Sequence, residues 1–484
     1  MTRASLDPRQ SGLFNQLRAV VRSNAGVVIL LLLGAALRVW AIAAYRPAVL
    51  GYPDGTEYLI NGVSDLWRNI GRPVGYPLLI RGVTWLSGGL TTLIAVQHLI
   101  GMATAVILYA ALRIVGAPRG VACLPAAVVL LSGDQVYIEH SPLSEALFGA
   151  LVALAVALSL RAFSGEDAGR LSRAALLWCA AAGAAVGAAS VVRYVGEALV
   201  PVFALWMMAL GCRGTLAARL CAGAAVCMAA VAVVGGYVAV RGLALRSGGT
   251  QGQTGLAVPG NAMYGRVAPF ADCERFTPPA GTRPLCDPTP PAQRQGPGWY
   301  VFFSASPLHR APKEASAGSD RFARAALRHQ PDSYALAVAR DLGRFVAPTG
   351  LARPGEGWGD KPSAYRFGQR RAEEARAVEV TSGLFGQTKV ELGATVPALD
   401  RYQAIVRLHG GLLGLCFVLA VCGLLFARAR VLRAILLLLG VTFAALAVPV
   451  GVAVYDARYA FPVEGLVAAA AALGAWSLAT RLRR

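Results

Sequence analysis

About ten apolar runs, many of them about 18–22 residues long, with arginine in every second turn between them, constrain this chain more than any other feature. An apolar helix of about 20 residues crosses the hydrocarbon of a bilayer. The runs fall at about 25–45, 90–112, 120–133, 142–162, 174–192, 197–211, 217–240, 404–427, 432–452 and 459–479. Two of them are short, so tilted or partly re-entrant segments are expected there. Only 15% of the residues are charged, against about 25% in a soluble domain, and the mean hydropathy is +0.53. These observations predict an all-α polytopic membrane protein.

The net charge of +20 invites a nucleic-acid reading. The arginines, however, sit at the ends of apolar runs rather than in one stripe, which is how a membrane protein gathers charge on its cytoplasmic side. With Arg3, Arg9, Arg18 and Arg22 starting in the cytoplasm, the inner turns carry Arg113 and Arg119, then Arg161, Arg170 and Arg173, then Arg213 and Arg219. Later ones carry Arg428, Arg430 and Arg433, and the tail Arg481, Arg483 and Arg484. Asp54, Asp134, Glu139 and Asp456 fall on the outer side. One miscounted span would invert this parity. Both termini are therefore expected in the cytoplasm, with no cleaved signal peptide, because the first apolar run is long enough to stay as an anchor. Lysine occurs three times (Lys313, Lys361, Lys389) among 46 basic residues, the bias of a GC-rich bacterial genome, and the expected location is a bacterial cell membrane.

Three parts follow: a membrane module 1–240, an extracytoplasmic insert 241–404, and C-terminal spans in 405–484. The first external loop, 46–89, holds two amphipathic pieces, roughly 56–68 and 77–86, suited to lying along the membrane surface. The insert is rich in Gly and Pro and then turns helical, with one amphipathic helix expected over 321–345. Cys273 and Cys286, with twelve residues between them, lie in this insert. On an oxidising surface a disulfide is their expected state, and a zinc pair is disfavoured by the lack of CxxC or paired His. No internal repeat is visible.

Ionisable groups gather at the outer ends of the spans. Asp54, Glu57 and Tyr58 come first, in Gly51-Tyr-Pro-Asp-Gly-Thr-Glu-Tyr58, on a segment read as an irregular Pro-Asp-Gly turn. Arg72 and Tyr76 follow in Gly71-Arg-Pro-Val-Gly-Tyr-Pro77, then Asp134, His140 and Glu145 between two spans, then Arg193, then Arg458 and Tyr459. Singly, each has an ordinary explanation: a turn Asp, an Arg193–Glu197 helix pair, a capping His140, a Glu145 favoured by the helix dipole. Together at one membrane level they form a candidate site, because charges beside hydrocarbon are costly.

The order of these residues resembles integral-membrane glycosyltransferases of the GT-C fold, the group with protein O-mannosyltransferases and the aminoarabinose transferase of lipid A. Their catalytic Asp in the first external loop, often with a Tyr four residues later, matches Asp54 and Tyr58. Arg72-Pro-Val-Gly-Tyr-Pro77, Ser141-Pro-Leu-Ser-Glu-Ala-Leu-Phe148, Ser190-Val-Val-Arg193 and Asp456-Ala-Arg-Tyr-Ala-Phe-Pro462 resemble later motifs in the same order. Gly55 departs from the second acid many relatives carry. Glu57 stands where some place a basic residue on the donor phosphate, which leaves those contacts to Arg72, Arg193 or Arg458.

The resemblance implies a sugar donor on polyprenyl phosphate, membrane lipids around the spans, and a glycan, lipid or protein acceptor whose hydroxyl Asp54 deprotonates. A single acting carboxylate implies inversion. No cofactor is identified; a divalent metal among Asp54, Glu57 and Asp134 stays open, although no metal-type spacing is present. Two other classes remain. A flippase or transporter of lipid-linked sugars would favour midplane charges and repeated halves, and a glycan ligase or polymerase would carry its catalytic groups in a late external loop.

Overall fold

The computed structural model describes residues 22–67, 72–164, 171–247, 260–347, 364–369, 374–386 and 389–483. Arg3, Arg9, Arg18, Arg68, Arg170, Lys361 and Arg484 lie outside these residues. Among the described residues, one antiparallel pair, β1 (Tyr45–Arg46) with β2 (Glu391–Leu392), is all the sheet there is. Everything else regular is helix, as the apolar runs require.

The first half runs α1 (Ala25–Ala44), α2 (Pro53–Val63), α3 (Gly75–Ser87), α4 (Leu90–Val115), α5 (Arg119–Leu131), α6 (Gly133–Glu139), α7 (Glu145–Ala162), α8 (Arg173–Val192), α9 (Val195–Trp206, continued by a π turn Met207–Gly211) and α10 (Leu216–Ser247). The insert contributes α11 (Gly260–Val267), α12 (Pro297–Phe302), α13 (Pro307–Arg310), α14 (Lys313–Ala317), α15 (Ser319–His329), α16 (Pro331–Val346), α17 (Glu374–Phe385) and α18 (Val396–Ile405). Then come α19 (Gly411–Leu424), α20 (Ala429–Val452), a 3-10 turn Ala457–Val463 and α21 (Glu464–Leu482). Each expected span contains a helix, but the one expected over 404–427 is broken at 406–410, between α18 and α19. Seven are long and apolar enough to cross a membrane, an eighth is the α5–α6 pair bent by 53°, and Val195–Gly211 and Gly411–Leu424 are shorter.

Small residues let these helices approach closely, which is how apolar helices gain packing where no water is expelled. A Cβ on Gly183 of α8 would meet the Val226 carbonyl of α10 at 2.3 Å, and one on Gly474 of α21 would meet the Leu419 carbonyl of α19 at 2.2 Å. Gly474→Ala should therefore push α19 from α21 and cost about 1–3 kcal/mol. Thermal unfolding in detergent reads this, and an unchanged midpoint would mean the pair separates freely.

The turns sort by chemistry. Arg430 donates to the Ile114 and Ser164 carbonyls at 2.6 and 3.0 Å, and Arg433 to Leu210 at 3.2 Å. These bonds bring the arginine-bearing turns together at one end of the bundle. The acidic residues of the first loop and of the 456–459 segment lie at the other end.

The insert has a small core of its own around Tyr264, Leu285, Tyr300 and Phe322. Cys273 and Cys286 are disulfide-bonded beside it. Closing this short loop is worth roughly 2–3 kcal/mol, so Cys273→Ser with Cys286→Ser should increase proteolysis within the insert and leave the membrane helices assembled. Equal cutting with and without the bridge would contradict that. The single helix expected over 321–345 is two helices, because Pro331 lacks an N–H and opens a new one. The second, α16, returns to the bundle, where Tyr334 donates to the Gly451 carbonyl at 3.1 Å.

Candidate functional site

Asp54 is delivered by a clamped loop. The Val49 N–H donates to the His140 carbonyl at 2.9 Å, His140 Nε2 meets the Tyr45 carbonyl at 2.8 Å, and the Tyr52 and Tyr137 hydroxyls bond at 2.5 Å. The Tyr52 ring also stacks on Tyr365 at 5.6 Å. With residue 52 held, Pro53 opens α2 and Asp54 occupies its first turn. This corrects the irregular-turn expectation: Pro at the first helical position needs no N–H partner, and a carboxylate there suits the helix dipole.

Both Asp54 oxygens are taken. Arg72 Nη2 lies 2.7 Å from Oδ1 and Arg458 Nη2 2.5 Å from Oδ2. Burial alone would raise the Asp54 pKa, but the Arg458 and Arg72 charges outweigh it and hold the carboxyl below the ordinary carboxylate range. Arg72 also pairs with Glu57 at 2.5 Å and lies over the Tyr58 ring. Arg458 reaches Asp456 at 3.0 Å and Glu145 at 3.6 Å.

Arg193 ends α8 and turns its guanidinium to Glu145 at 2.7 Å and to the Ser144 hydroxyl at 3.0 Å, so the Arg193–Glu197 pairing is not what forms. No hydrogen bond of good geometry reaches either Glu145 oxygen, so its contacts are electrostatic. Tyr459 lies under both Arg193 and Arg458.

A cavity of about 220 Å³ opens on this cluster. Its lining combines Asp54, Tyr58, Arg72, Arg193, Arg458 and Tyr459 with Val195 and, from the end of α20, Val448, Pro449, Val452 and Ala453. Glu57 and Glu145 stand behind the arginines. Tyr76 lies beneath Tyr58, bonded to Gln97 at 2.8 Å.

Asp134 and His140 do not join this cavity. The bend after Leu131 directs Asp134 to Arg407 and Gln403, each at 2.9 Å. His140 is bonded to His98 at 3.1 Å. The three carboxylates weighed for a metal thus go to arginines, Asp134 to a different one from the other two. Among the described residues no group of three or more His, Cys, Asp or Glu is placed to hold an ion.

Sequence reasoning missed a buried ladder behind the loop. Arg38, 2% exposed in α1, pairs with Glu139 at 2.7 Å; Glu139 bonds His98 at 2.9 Å, and His98 bonds His140. An arginine inside an apolar run is a signal that such a partner exists. The sequence places Asp456 on the outer side and in the last motif, without a role of its own. It caps the 3-10 turn that carries Arg458, and burial lifts its carboxyl above the usual range despite the Arg458 charge beside it.

No family model and no curated protein matches the chain. Solved structures do. The archaeal oligosaccharyltransferase AglB from Archaeoglobus fulgidus, in complex with an inhibitory peptide and a dolichol-phosphate, is 13% identical at TM-score 0.47, over 95% of this chain and 50% of its own. ArnT from Cupriavidus metallidurans bound to undecaprenyl phosphate is 16% identical at TM-score 0.39, over 94% and 78%. The chain spans about half the length of the oligosaccharyltransferase it matches.

Proposed function

We propose that this is a GT-C-type glycosyltransferase moving a sugar from a polyprenyl-phosphate donor to an acceptor hydroxyl outside the membrane, with Asp54 as general base. The observation that carries the reading is one cavity of two characters, whose lining joins a carboxylate and three arginines to apolar residues at the end of a membrane helix. A phosphate with a prenyl tail needs both. Arginine forks suit the phosphate, and the 448–453 segment suits the first isoprene units.

In the step, the acceptor oxygen bonds to the anomeric carbon as its proton passes to Asp54. The carbon–oxygen bond to phosphate breaks, and polyprenyl phosphate leaves with the electron pair. The donor phosphodiester gains negative charge as it becomes a monoester, just as Asp54 loses its own. Arg72 and Arg458, which hold Asp54 beforehand, can then turn their charge to the leaving phosphate, so their stabilisation is greatest in the transition state. Among the described residues lining the cavity, Asp54 is the one carboxylate, which supports direct displacement with inversion. Asp134 and His140 are assigned to supporting the loop rather than touching substrate.

A photoreactive polyprenyl phosphate tests the placement. It should crosslink to 448–453, and Arg193→Ala should reduce crosslinking about tenfold. Labelling that avoids this segment would refute the assignment.

A further inference from the structure

A second cavity, of about 400 Å³, opens at the end of the bundle opposite Asp54. Phe426 after α19, Arg428 at the start of α20, and Trp476, Arg481 and Arg483 at the end of α21 line it. The other end of α20 lines the Asp54 cavity. With 24 residues, α20 is about 36 Å long, so the two cavities face opposite surfaces of a hydrocarbon layer about 30 Å thick.

The charge here is not balanced as it is around Asp54. There, each cavity arginine meets a carboxylate. Among the described residues, no carboxylate lines this cavity, and none of the three guanidinium groups enters an ion pair or side-chain hydrogen bond. Ser477 and Thr480, also in the lining, donate back into their own helix at 2.8 and 2.9 Å. Among the described lining residues, the donors left free are the three guanidinium groups and the Trp476 indole N–H. Leu425 and Leu482, the chain neighbours of the lining residues Phe426, Arg481 and Arg483, are 79% and 87% exposed, which suits lipid rather than water there.

We propose that this cavity binds the headgroup of an anionic glycerophospholipid. The three guanidinium groups take the phosphate, and Trp476 and Phe426 pack against the glycerol and upper acyl chains. A zwitterionic headgroup fits poorly, since among the described lining residues its ammonium would meet three cations and no acid. A free phosphate would leave Leu425 and Leu482 uncovered. Arginine-rich turns face the cytoplasm, which puts the site at the inner leaflet, where anionic lipid is held by such residues. The assignment does not depend on the glycosyltransferase reading.

Native mass spectrometry of the full chain in detergent, titrated with phosphatidylglycerol, tests it. One retained lipid per chain is expected, weakened about tenfold or more by Arg428→Gln with Arg481→Gln and Arg483→Gln. The matching triple Lys variant should keep most of the binding. Phosphatidylcholine and millimolar inorganic phosphate should not displace the lipid. Should the triple Gln variant misfold, brominated phosphatidylglycerol should quench wild-type tryptophan fluorescence by an increment that Trp476→Phe removes. Unaltered binding in the Gln variant, equal binding of phosphatidylcholine, displacement by inorganic phosphate, or quenching independent of Trp476 would each overturn the proposal.

Discussion

Asp54→Asn is expected to lower sugar transfer by about 10³-fold while donor binding is kept or strengthened. General-base catalysis contributes roughly 10²–10⁴-fold, and Asn keeps the shape of the side chain without accepting the acceptor's proton. It also removes the negative charge that occupies Arg72 and Arg458, leaving both freer for the donor phosphate. The split distinguishes a base from a structural partner. Were Asp54 only the anchor of two arginines, the Asn variant would lose folded protein and donor affinity together.

The second large effect belongs to Arg458, which joins Asp54, Asp456 and Glu145. Arg458→Gln is expected to lower kcat/KM by about 10²–10³-fold, the usual consequence of removing one donor from a developing anion. The pH profile carries a second signature. In the wild type Asp54 is held below the ordinary carboxylate range, so it stays ionised through mildly acidic pH and imposes no acid limb there. Without Arg458 the raising effect of burial is less opposed, so the acid limb of kcat/KM should move upward. Stability follows the same sign: the depressed folded pKa contributes stability above the unfolded value of about 3.9, lost as pH falls through the folded pKa. An acid limb unchanged in the variant would show that Arg458 does not set the charge of Asp54.

The spans were legible because apolar length and arginine placement are one-dimensional signals, and the bonds from Arg430 to Ile114 and Ser164 place the basic turns together as parity requires. Arg72, Arg193 and Arg458, far apart in sequence, could be grouped for the same reason. Direction was harder to read. Asp134 and His140 share one segment between spans with Glu145, yet the 53° bend sends Asp134 to Arg407 and Gln403, more than 260 positions away. Nothing local specifies that partner. Tyr-Pro-Asp-Gly is equally a turn and a helix start; the Tyr52–Tyr137 contact, made across the fold, decides for the helix. Pro331 could have been read as a helix break from its chemistry alone. Arg38 likewise announced a buried acid, though not that Glu139 supplies it.

The most direct measurement of the central claim is transfer from radiolabelled polyprenyl-phosphate sugars in membranes carrying the wild type or Asp54→Asn at matched levels. The account predicts labelled product and released polyprenyl phosphate with the wild type, and neither with the variant. Label that crosses the bilayer without leaving its lipid, to the same extent with both proteins, would contradict it.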